Sequence, residues 1–180
     1  DIILILGDHE EPLVGAIVGT YMNVAVAHLG GGDRVVGNID DTVRHAITKL
    51  AHIHFAFSED SAQRIIRMGE EPWRVFNTGC PSLDGIRETP YMSLEEISSA
   101  LGFQLTSPFL VVIQHPLSSE WMLAEEQMEI TLTALTEVRH QSVIIFPNTD
   151  AGSSRIIRMI QYYGEQYSHL RYYPTLPRVV

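Results

Sequence analysis

The sequence predicts an α/β fold with parallel β-sheets, divided into two units. Short apolar segments alternate with helical segments along most of the chain, and most apolar segments end at a polar or glycine-containing turn. Continuous apolar runs of this length are typical of strands buried on both faces of a parallel sheet. The alternation becomes less regular from about Ile86 to Ser107, around Pro90 and Gly102, which indicates a connection between two units.

The first unit is predicted to contain four strands with three helices between them, an arrangement that favours a parallel sheet. Its strands are short runs of apolar and β-branched residues bounded by turn-forming residues. Asp40 or Asp41 and Ser58 are suitable helix caps, because their side-chain oxygens can accept a hydrogen bond from a first-turn N–H. The predicted elements are, in order, strand 2–6, helix 12–21, strand 24–28, helix 42–50, strand 54–57, helix 59–68 and strand 75–79.

A second α/β unit follows the connection. A strand over 109–113 ends at His115-Pro116, and a strand over 143–146 ends at Pro147-Asn148. A long amphipathic helix is predicted between them, over 121–139, and another helix starts at Ser153 or Ser154 and runs to about residue 164. The predicted division is residues 1–90 for part of a first domain, 91–107 for a linker region and 108–180 for part of a second domain.

Composition excludes several classes of function. The formal net charge of −10 has the wrong sign for a protein that neutralises a phosphate backbone, so no nucleic-acid partner is expected. The longest uncharged stretch, residues 12–27, is shorter than the roughly 20 apolar residues of a membrane helix. No membrane partner is therefore expected.

Cysteine and histidine usage argues against a metal centre. Cys80 is the only cysteine, so neither an intrachain disulfide nor a cysteine-based zinc site can form. His45 and His52 are seven residues apart and His54 lies in the following strand, a spacing that does not favour shared metal coordination. No metal site is predicted from these residues.

Titratable and polar residues follow the predicted strands in both units. In open parallel sheets, ligands bind at the carboxyl ends of the strands. A single aspartate at such a position is commonly a turn residue, but the repetition across two units indicates a site. The residues at these positions are Asp8, His9, His28, Asp33, His115, Asn148 and Asp150.

Two further segments permit both a functional and a structural interpretation. The run Gly30-Gly31-Gly32 allows the backbone to approach a phosphate or sugar closely, but it is equally consistent with a flexible connection. Asp40 and Asp41 form a carboxylate pair about one helical turn from Arg44. Such a pair can supply a general acid or base, whereas the structural alternative is an acidic first turn that complements the helix dipole.

These segments resemble the UDP-N-acetylglucosamine 2-epimerases, especially the hydrolysing branch used in sialic acid synthesis. The resemblance covers nearly the whole chain, and residues 39–52 are its most specific part. The non-hydrolysing branch usually has Pro-Glu-Glu where this chain has Ile39-Asp40-Asp41, which favours hydrolysis. The matching segments are Gly7-Asp8, residues 28–32, residues 39–52, Gln114-His115-Pro116 and residues 147–153.

The resemblance implies two Rossmann-like domains facing a cleft, of the glycosyltransferase GT-B type, with the nucleotide held mainly by the second domain. It implies removal of a proton from C2 of the sugar, loss of the nucleoside diphosphate from C1, and addition of water with inversion at C2. It also implies a UDP-sugar substrate, with a GDP-sugar as an alternative, a cytoplasmic homodimer or homotetramer, and no cofactor.

The resemblance also suggests roles for individual residues. Asp8, Asp40 and Asp41 resemble the acid/base carboxylates of the family, whereas Arg44 and His115 resemble groups that balance charge near the phosphates or leaving group. Substrate or nucleotide contacts are expected from the remaining matching positions. These are His9, His28, Gly31, Gly32, Asn148, Asp150 and Arg158.

Three departures from the family pattern lead to further expectations. His9 stands where the family usually has an arginine, which predicts weaker or pH-dependent phosphate binding. Gly30 stands where the resemblance implies a catalytic glutamate, and Asp33 is the nearest replacement, as in a subgroup that acts on another nucleotide or on a diacetamido sugar. Family members are about twice as long, so the chain is expected to be a central fragment, incomplete at both ends.

Three other functions remain open at this level. A non-hydrolysing epimerase would share most of the motifs, and a glycosyltransferase of similar fold would share the cleft and a strand-end histidine. The Asp40-Asp41 segment argues against the glycosyltransferase. A catalytically silent sugar-nucleotide-binding module is the third alternative, because Gly30 replaces the expected glutamate.

Overall fold

The computed structural model describes residues 1–177, which fall into two compact units, one over residues 1–88 and the other from residue 89 onward. Each unit contains a parallel β-sheet with helices in the connections, which confirms the predicted α/β class. The predicted second domain extends to residue 180, and residues 178–180 lie outside the described part of the chain. Within residues 1–177, every helix is too short or too polar to cross a lipid bilayer.

The first unit alternates strands and helices along its whole length. Its elements are β1 (Ile2–Leu6), α1 (Glu10–Tyr21), β2 (Ala25–Leu29), α2 (Asp40–Leu50), β3 (Ile53–Ala56), α3 (Glu59–Arg67), β4 (Val75–Asn77) and α4 (Pro81–Glu88). The four strands are parallel and pair in the order β1-β2-β3-β4. Their carboxyl ends therefore lie at one edge of the sheet.

The core of this unit lies on one face of the sheet. Ile5 and Val26 pack against Ala16 of α1 and Ile47 of α2. Residues that alternate with Ile5 along β1 face the other way: Ile2, Leu4 and Leu6 are 52–63% exposed. Sequential strands joined by right-handed crossovers place their helices on the same face, so this strand order accounts for the exposed apolar side chains.

The second unit has three parallel strands in a sequential order. Its elements are α5 (Leu94–Leu101), β5 (Leu110–Ile113), α6 (Ala124–Val138), β6 (Ser142–Ile145), α7 (Ser153–Gln166) and β7 (Leu170–Tyr173). The strands pair as β5-β6-β7. The main core joins Met128 and Leu132 of α6, Ile144 of β6, and Ile156 and Ile160 of α7.

Residues 91–107, for which the sequence predicts a linker region, belong to the second unit and contain α5. Ser93 Oγ accepts the N–H of Glu96, and the Glu96 carboxylate accepts the N–H of Ser93, so the helix begins with a reciprocal capping box. It ends before Gly102, whose φ of 73° is the left-handed conformation typical of helix termini. Beyond it, Leu105 is buried with Val143 of β6.

Several element boundaries differ from those predicted. The helix predicted over 121–139 starts as a 3-10 segment, Ser118–Leu123, and α6 itself begins at Ala124. Neither α4 nor β7 is predicted from the sequence. The N-cap of α2 is Ile39 rather than Asp40 or Asp41, and both carboxylates accept hydrogen bonds from other groups. Ser58 caps α3 as predicted, by accepting the N–H of Ser61 at 3.2 Å.

Candidate functional site

Acidic residues that follow the strands of the first sheet meet at its carboxyl edge. Asp8 follows β1, Asp33 follows β2 and the glycine run, and α2 starts with Asp40 and Asp41. All these segments leave the sheet at the same edge, because the strands are parallel. The structure brings Asp8, Asp33 and Asp41 together around the side chain of Arg44.

Arg44 is the centre of this acidic cluster. Its guanidinium donates to the Asp8 carboxylate, to Asp41 Oδ1 at 3.0 Å and to the backbone carbonyl of Asp33 at 3.1 Å. The residue is only 5% exposed, and burial lowers the pKa of the Arg44 guanidinium, which nevertheless stays charged in proteins. A buried cation between two carboxylates relieves the repulsion between them and fixes their separation.

The adjacent residues Asp40 and Asp41 have different partners. Asp41 Oδ1 accepts the backbone N–H of Val35 at 2.7 Å as well as the Arg44 guanidinium. Asp40 Oδ2 accepts the side-chain amide of Asn38 at 2.8 Å. Asp41 therefore belongs to the Arg44 cluster, whereas Asp40 contacts the loop before α2.

The glycine run is packed against protein rather than opened towards a ligand. A Cβ on Gly31 would lie 3.0 Å from His28 Nδ1, and a Cβ on Gly32 would lie 2.2 Å from the Ser61 carbonyl oxygen. Gly31 and Gly32 are both buried. The sequence suggests ligand contacts for these two glycines, but in this structure their lack of a side chain serves the close approach of the loop to β2 and α3.

His28, predicted as a substrate-binding residue, supports the turn beneath Asp8 instead. It is fully buried, and its Nε2 lies 2.9 Å from the Gly7 carbonyl oxygen, to which the ring donates. Its Nδ1 lies 3.5 Å from Thr48 Oγ1. Burial lowers the pKa of His28, against the opposing effects of the Gly7 hydrogen bond and the Asp33 charge. A neutral, enclosed imidazole is suited to hold the Gly7-Asp8 turn in position.

His9 is the exposed histidine next to the cluster. Its Nε2 lies 3.8 Å from Asp8 Oδ1, and its side chain is about half exposed. In the described part of the chain, His9, Glu10 and Glu11 form the one group whose possible metal-ligand atoms all lie within 4.8 Å of one another. All three are exposed, and acidic residues in the first turn of α1 also complement the helix dipole, which gives the group a structural explanation.

The predicted polar residues of the second unit also converge at a carboxyl edge. His115 follows β5, and its Nδ1 accepts the backbone N–H of Asn148, which follows β6, at 3.1 Å. Neutral His115 therefore carries its proton on Nε2. The Asn148 side-chain amide donates to Asp150 Oδ2 at 2.7 Å, and the Asp150 carbonyl accepts the N–H of Ser153 at 3.0 Å. His115, Asn148 and Asp150 thus form one connected group before α7.

A cavity of about 450 Å³ adjoins this group, and it is lined by side chains of the second unit that include Asn148, Asp150, Ser154 and Pro174. The sequence analysis groups Arg158 with Asn148 and Asp150. Arg158 lies one helical turn after Ser154 in α7, is exposed, and is not among the residues that line this cavity. Arg155 is the arginine of the first turn, and its guanidinium lies 5.3 Å from the ring centre of Trp121.

Sequence reasoning missed two groups of residues in the first unit. Ser61 and Arg64 of α3 contact the glycine run and Asp33 across the sheet edge. The capping pattern that starts at Ser58 predicts α3 itself, but no local signal indicates which way the Ser61 hydroxyl points.

The second missed group surrounds the buried carboxylate of Glu70. Glu70 accepts from Lys49 and Arg74, and its Oε2 lies 3.4 Å from Nε2 of the fully buried His54. Burial lowers the pKa of His54 to about 4, which outweighs the attraction of Glu70. Burial alone raises the pKa of Glu70, but the Lys49 hydrogen bond and the charges of Lys49, His54 and Arg74 produce a net lowering.

A family model and two curated relatives each match more than nine tenths of the chain. A family model described as UDP-N-acetylglucosamine 2-epimerase matches residues 1–179. The UDP-N,N'-diacetylbacillosamine 2-epimerase (hydrolyzing) of Legionella pneumophila is 37% identical over 163 residues, which cover 91% of this chain and 43% of that protein. The UDP-N-acetylglucosamine 2-epimerase of Neisseria meningitidis is 32% identical over 93% of the chain and 44% of its own length. The chain therefore spans less than half the length of these relatives.

Solved structures show the same fold at low sequence identity. A UDP-GlcNAc 2-epimerase of Methanocaldococcus jannaschii, in complex with UDP-GlcNAc and UDP, has a TM-score of 0.77 at 14% identity and covers 99% of this chain and 51% of its own. A UDP-GlcNAc 2-epimerase structure from Neisseria meningitidis, bound to UDP-GlcNAc, has a TM-score of 0.76 at 16% identity and covers 99% of this chain and 50% of its own. At these identities the likeness concerns the fold alone.

Proposed function

The chain belongs to the UDP-N-acetylglucosamine 2-epimerase family, and on that premise we propose that the whole protein is a hydrolysing sugar-nucleotide 2-epimerase. It would convert a nucleotide-linked 2-acetamido sugar into the free C2 epimer and a nucleoside diphosphate. The observation that carries the proposal is the cluster of Asp8, Asp33 and Asp41 around buried Arg44 at the carboxyl edge of the first sheet. The proposal concerns the whole protein because the chain spans 43–44% of the relatives named above.

In the architecture we propose, residues 1–90 and 108–180 are parts of two Rossmann-like domains that face a cleft, and residues 91–107, which pack with the second unit, lead from one domain to the other. The first domain supplies the carboxylates and the second holds the nucleotide. Asp8 and His115 each follow a strand at the carboxyl end of a parallel sheet, where ligands bind in open α/β folds. Their positions therefore support this arrangement. We further propose a homodimer or homotetramer that needs no metal or cofactor.

The proposed reaction needs acid and base groups on both sides of the sugar. A carboxylate removes the proton from C2, the C1–O bond to the diphosphate breaks with its electron pair leaving on oxygen, and a C1–C2 double bond remains. Water then adds its hydroxyl at C1, and C2 receives a proton on the opposite face. Positioned carboxylates are suited to both proton transfers, and we assign them to Asp8, Asp33 and Asp41, with Asp40 as a further candidate.

Cationic and hydrogen-bonding groups would serve the leaving diphosphate. Arg44 holds Asp8 and Asp41 in place, and its positive charge offsets the negative charge that the substrate brings. His115 presents Nε2–H because its Nδ1 is occupied by Asn148, so it can donate to a phosphate or to the leaving oxygen. His9, exposed beside Asp8, is a second candidate for a phosphate contact.

The remaining nucleotide contacts are assigned to the second unit. Asn148 and Asp150 line the 450 Å³ cavity, and Arg158, which directly follows the lining residue Ile157, is a further candidate. His28, Gly31 and Gly32 are buried, so we assign them an indirect role, the shaping of the loop that carries Asp33.

The sugar is either N-acetylglucosamine or a 2,4-diacetamido sugar. The relative named for UDP-N,N'-diacetylbacillosamine is 37% identical and the one named for UDP-N-acetylglucosamine is 32% identical. The two sugars share the C2 acetamido group and C1 phosphate at which the proposed chemistry occurs, so the reaction is the same for both.

The test follows both sugar nucleotides by NMR in deuterated water with the whole protein. We expect the free C2 epimer with deuterium at C2, release of the nucleoside diphosphate, and a loss of about 100-fold or more in kcat for Asp41→Asn, the scale of general acid–base catalysis. Glu165→Gln, an exposed acidic position at the end of α7, is the control and retains activity.

Two results would overturn the proposal. Accumulation of an epimerised sugar that is still bound to its nucleotide identifies the non-hydrolysing reaction. Binding of UDP- and GDP-linked sugars without turnover identifies a silent binding module, which the glycine at position 30 would then explain.

A further inference from the structure

Helix α3 is packed directly against the loop that carries Asp33. Gly32 has a φ of +79° and lies so close to α3 that an added Cβ would be 2.2 Å from the carbonyl oxygen of Ser61. Arg64, one turn later on the same helix, donates from its guanidinium to the Gly32 carbonyl. The position of the loop is therefore set by α3.

Ser61 also contacts the carboxylate of Asp33 itself. Its hydroxyl donates to Asp33 Oδ1 at 2.5 Å, and its oxygen lies 2.8 Å from Ser58 Oγ. A hydroxyl has one proton, so when Ser61 donates to Asp33, it is Ser58 that donates to Ser61. Ser58 Oγ in turn accepts the Ser61 N–H as the helix cap. The hydrogen bonds thus run in one direction, from Ser58 to Ser61 and from Ser61 to the Asp33 carboxylate.

Asp33 is held on two sides by different helices. Arg44 of α2 donates to its backbone carbonyl at 3.1 Å, and Ser61 of α3 donates to its side chain. Ser61 is 3% exposed, so water does not compete freely for this bond. A hydrogen bond to a carboxylate is charge-assisted and about twice as strong as one between neutral groups, which is enough to select one rotamer of a half-buried aspartate.

We propose that Ser61 is a positioning residue for the reaction: it occupies Oδ1 of Asp33 and thereby presents Oδ2 to the substrate, while Arg64 keeps the loop against α3. The proposal rests on the proposed function, in which Asp33 is one of the acid/base carboxylates. Ser61 does not touch the substrate and acts through Asp33 alone.

The test is a double-mutant cycle in the whole protein with the sugar nucleotide that it turns over. Ser61→Ala lowers kcat by about tenfold, because a misplaced catalytic group costs one to two orders of magnitude, and leaves KM within about twofold, because binding contacts are kept. Ser61→Thr, which keeps the hydroxyl, restores most of the kcat. In an Asp33→Ala background, Ser61→Ala has no further effect on kcat, because its partner is already gone.

Control variants separate positioning from a loss of folding. Ser98 is a similarly buried serine in α5 whose hydroxyl donates to Leu94 and accepts from Leu105, and Ser98→Ala lowers thermal stability without lowering kcat. Arg67→Ala, at an exposed position of α3, is the control for Arg64→Ala, which lowers kcat like Ser61→Ala. A circular dichroism spectrum equal to that of the wild type at the assay temperature shows that each variant is folded.

Two outcomes would overturn the assignment while leaving the hydrolysing reaction in place: full kcat in Ser61→Ala, or an equal loss in the wild-type and Asp33→Ala backgrounds. Absence of turnover in the wild-type protein would instead remove the proposed function, and this proposal with it.

Discussion

At the residue scale, Arg44 illustrates how a buried cation organises acidic residues that are distant in sequence. Asp8 and Asp41 are separated from each other by a helix, a strand and a loop, yet both carboxylates bond to the same guanidinium. The planar fork of arginine can donate to several acceptors at fixed angles, which the point charge of lysine cannot do. The buried guanidinium therefore fixes the positions of Asp8 and Asp41 relative to each other.

Buried His54 makes a testable contribution to the pH dependence of stability. Burial lowers the pKa of His54 from 6.5 to about 4, so between these pH values the unfolded chain binds more protons than the folded chain. The free energy of unfolding therefore falls as the pH falls from 6.5 towards 4, and this contribution is complete above 6.5. For one histidine, the expected loss between pH 7.5 and pH 4.5 is about 2 to 3 kcal/mol.

Urea unfolding of the chain at these two pH values checks this expectation. His54→Leu places an apolar side chain of similar size in the site and removes the titration, so the difference between the two unfolding free energies shrinks by about 2 kcal/mol. His140→Leu, at an exposed position, leaves it unchanged. The same slope in His54→Leu as in the wild type would show that other groups, such as His28 or Glu70, carry the whole pH dependence.

At the element scale, the contact between the glycine run and α3 depends on one missing side chain. Gly32 and Gly69 both have positive φ, +79° and +98°, but only Gly32 lacks room for a Cβ, since nothing lies within 4 Å of the Cβ position of Gly69. Gly69→Ala should therefore cost about 1 to 2 kcal/mol from backbone strain alone. Gly32→Ala must in addition displace the backbone of α3, so we expect a further loss of about 2 kcal/mol or more.

Chemical denaturation of both variants measures this difference directly. The comparison is internally matched, because both substitutions add the same methyl group at left-handed positions of the same unit. Equal destabilisation would mean that α3 moves away from the loop without cost, which would also weaken the positioning role of Ser61.

Elements with a strong local pattern could be predicted from the sequence, and elements defined by distant pairing could not. The run Ile2–Leu6 is predicted as a strand over the same residues because five apolar residues end at Gly7. Leu170–Tyr173 has no such pattern, since Arg171 interrupts it and its strand character comes from pairing with Ser142–Ile145. Helix α5 is short, and the turn-forming residues Pro90 and Gly102 near its ends are typical of a linker, so the sequence pattern does not distinguish the two.

In the candidate site too, some features could be predicted from the sequence and others could not. The rule that parallel strands end at one edge predicts that Asp8 and Asp33 lie near one another, whereas Asp41 enters the candidate site through the family resemblance. Whether a side chain reaches a ligand depends on its burial, which sequence does not reveal for isolated histidines and glycines: His28, Gly31 and Gly32 are enclosed. The bond from Ser61 to Asp33 joins residues 28 apart through a rotamer choice, for which the sequence contains no signal.

At the scale of the whole chain, the strand order determines which surfaces are apolar. Both sheets are sequential, so their connecting helices share a face. On the other face of the first sheet, Leu4 and Leu6 are both 63% exposed and Phe76 is 47% exposed. In the second unit, Val111 and Ile113 of β5 are more than half exposed. Contiguous apolar surface of this kind binds apolar dyes and promotes association.

The 180-residue chain, expressed on its own, should therefore bind the dye ANS, and Leu4→Thr with Leu6→Thr should reduce this binding measurably. Threonine is β-branched and therefore suits a strand, and because both leucines are mostly exposed, the substitutions should change the free energy of unfolding by less than about 1 kcal/mol. Ile130→Thr is the control, because Ile130 is 66% exposed on α6 and not on a sheet. Dye fluorescence that is as high in the double variant as in the wild type would place the dye-binding surface elsewhere, with the exposed side chains of β5 as the next region to substitute.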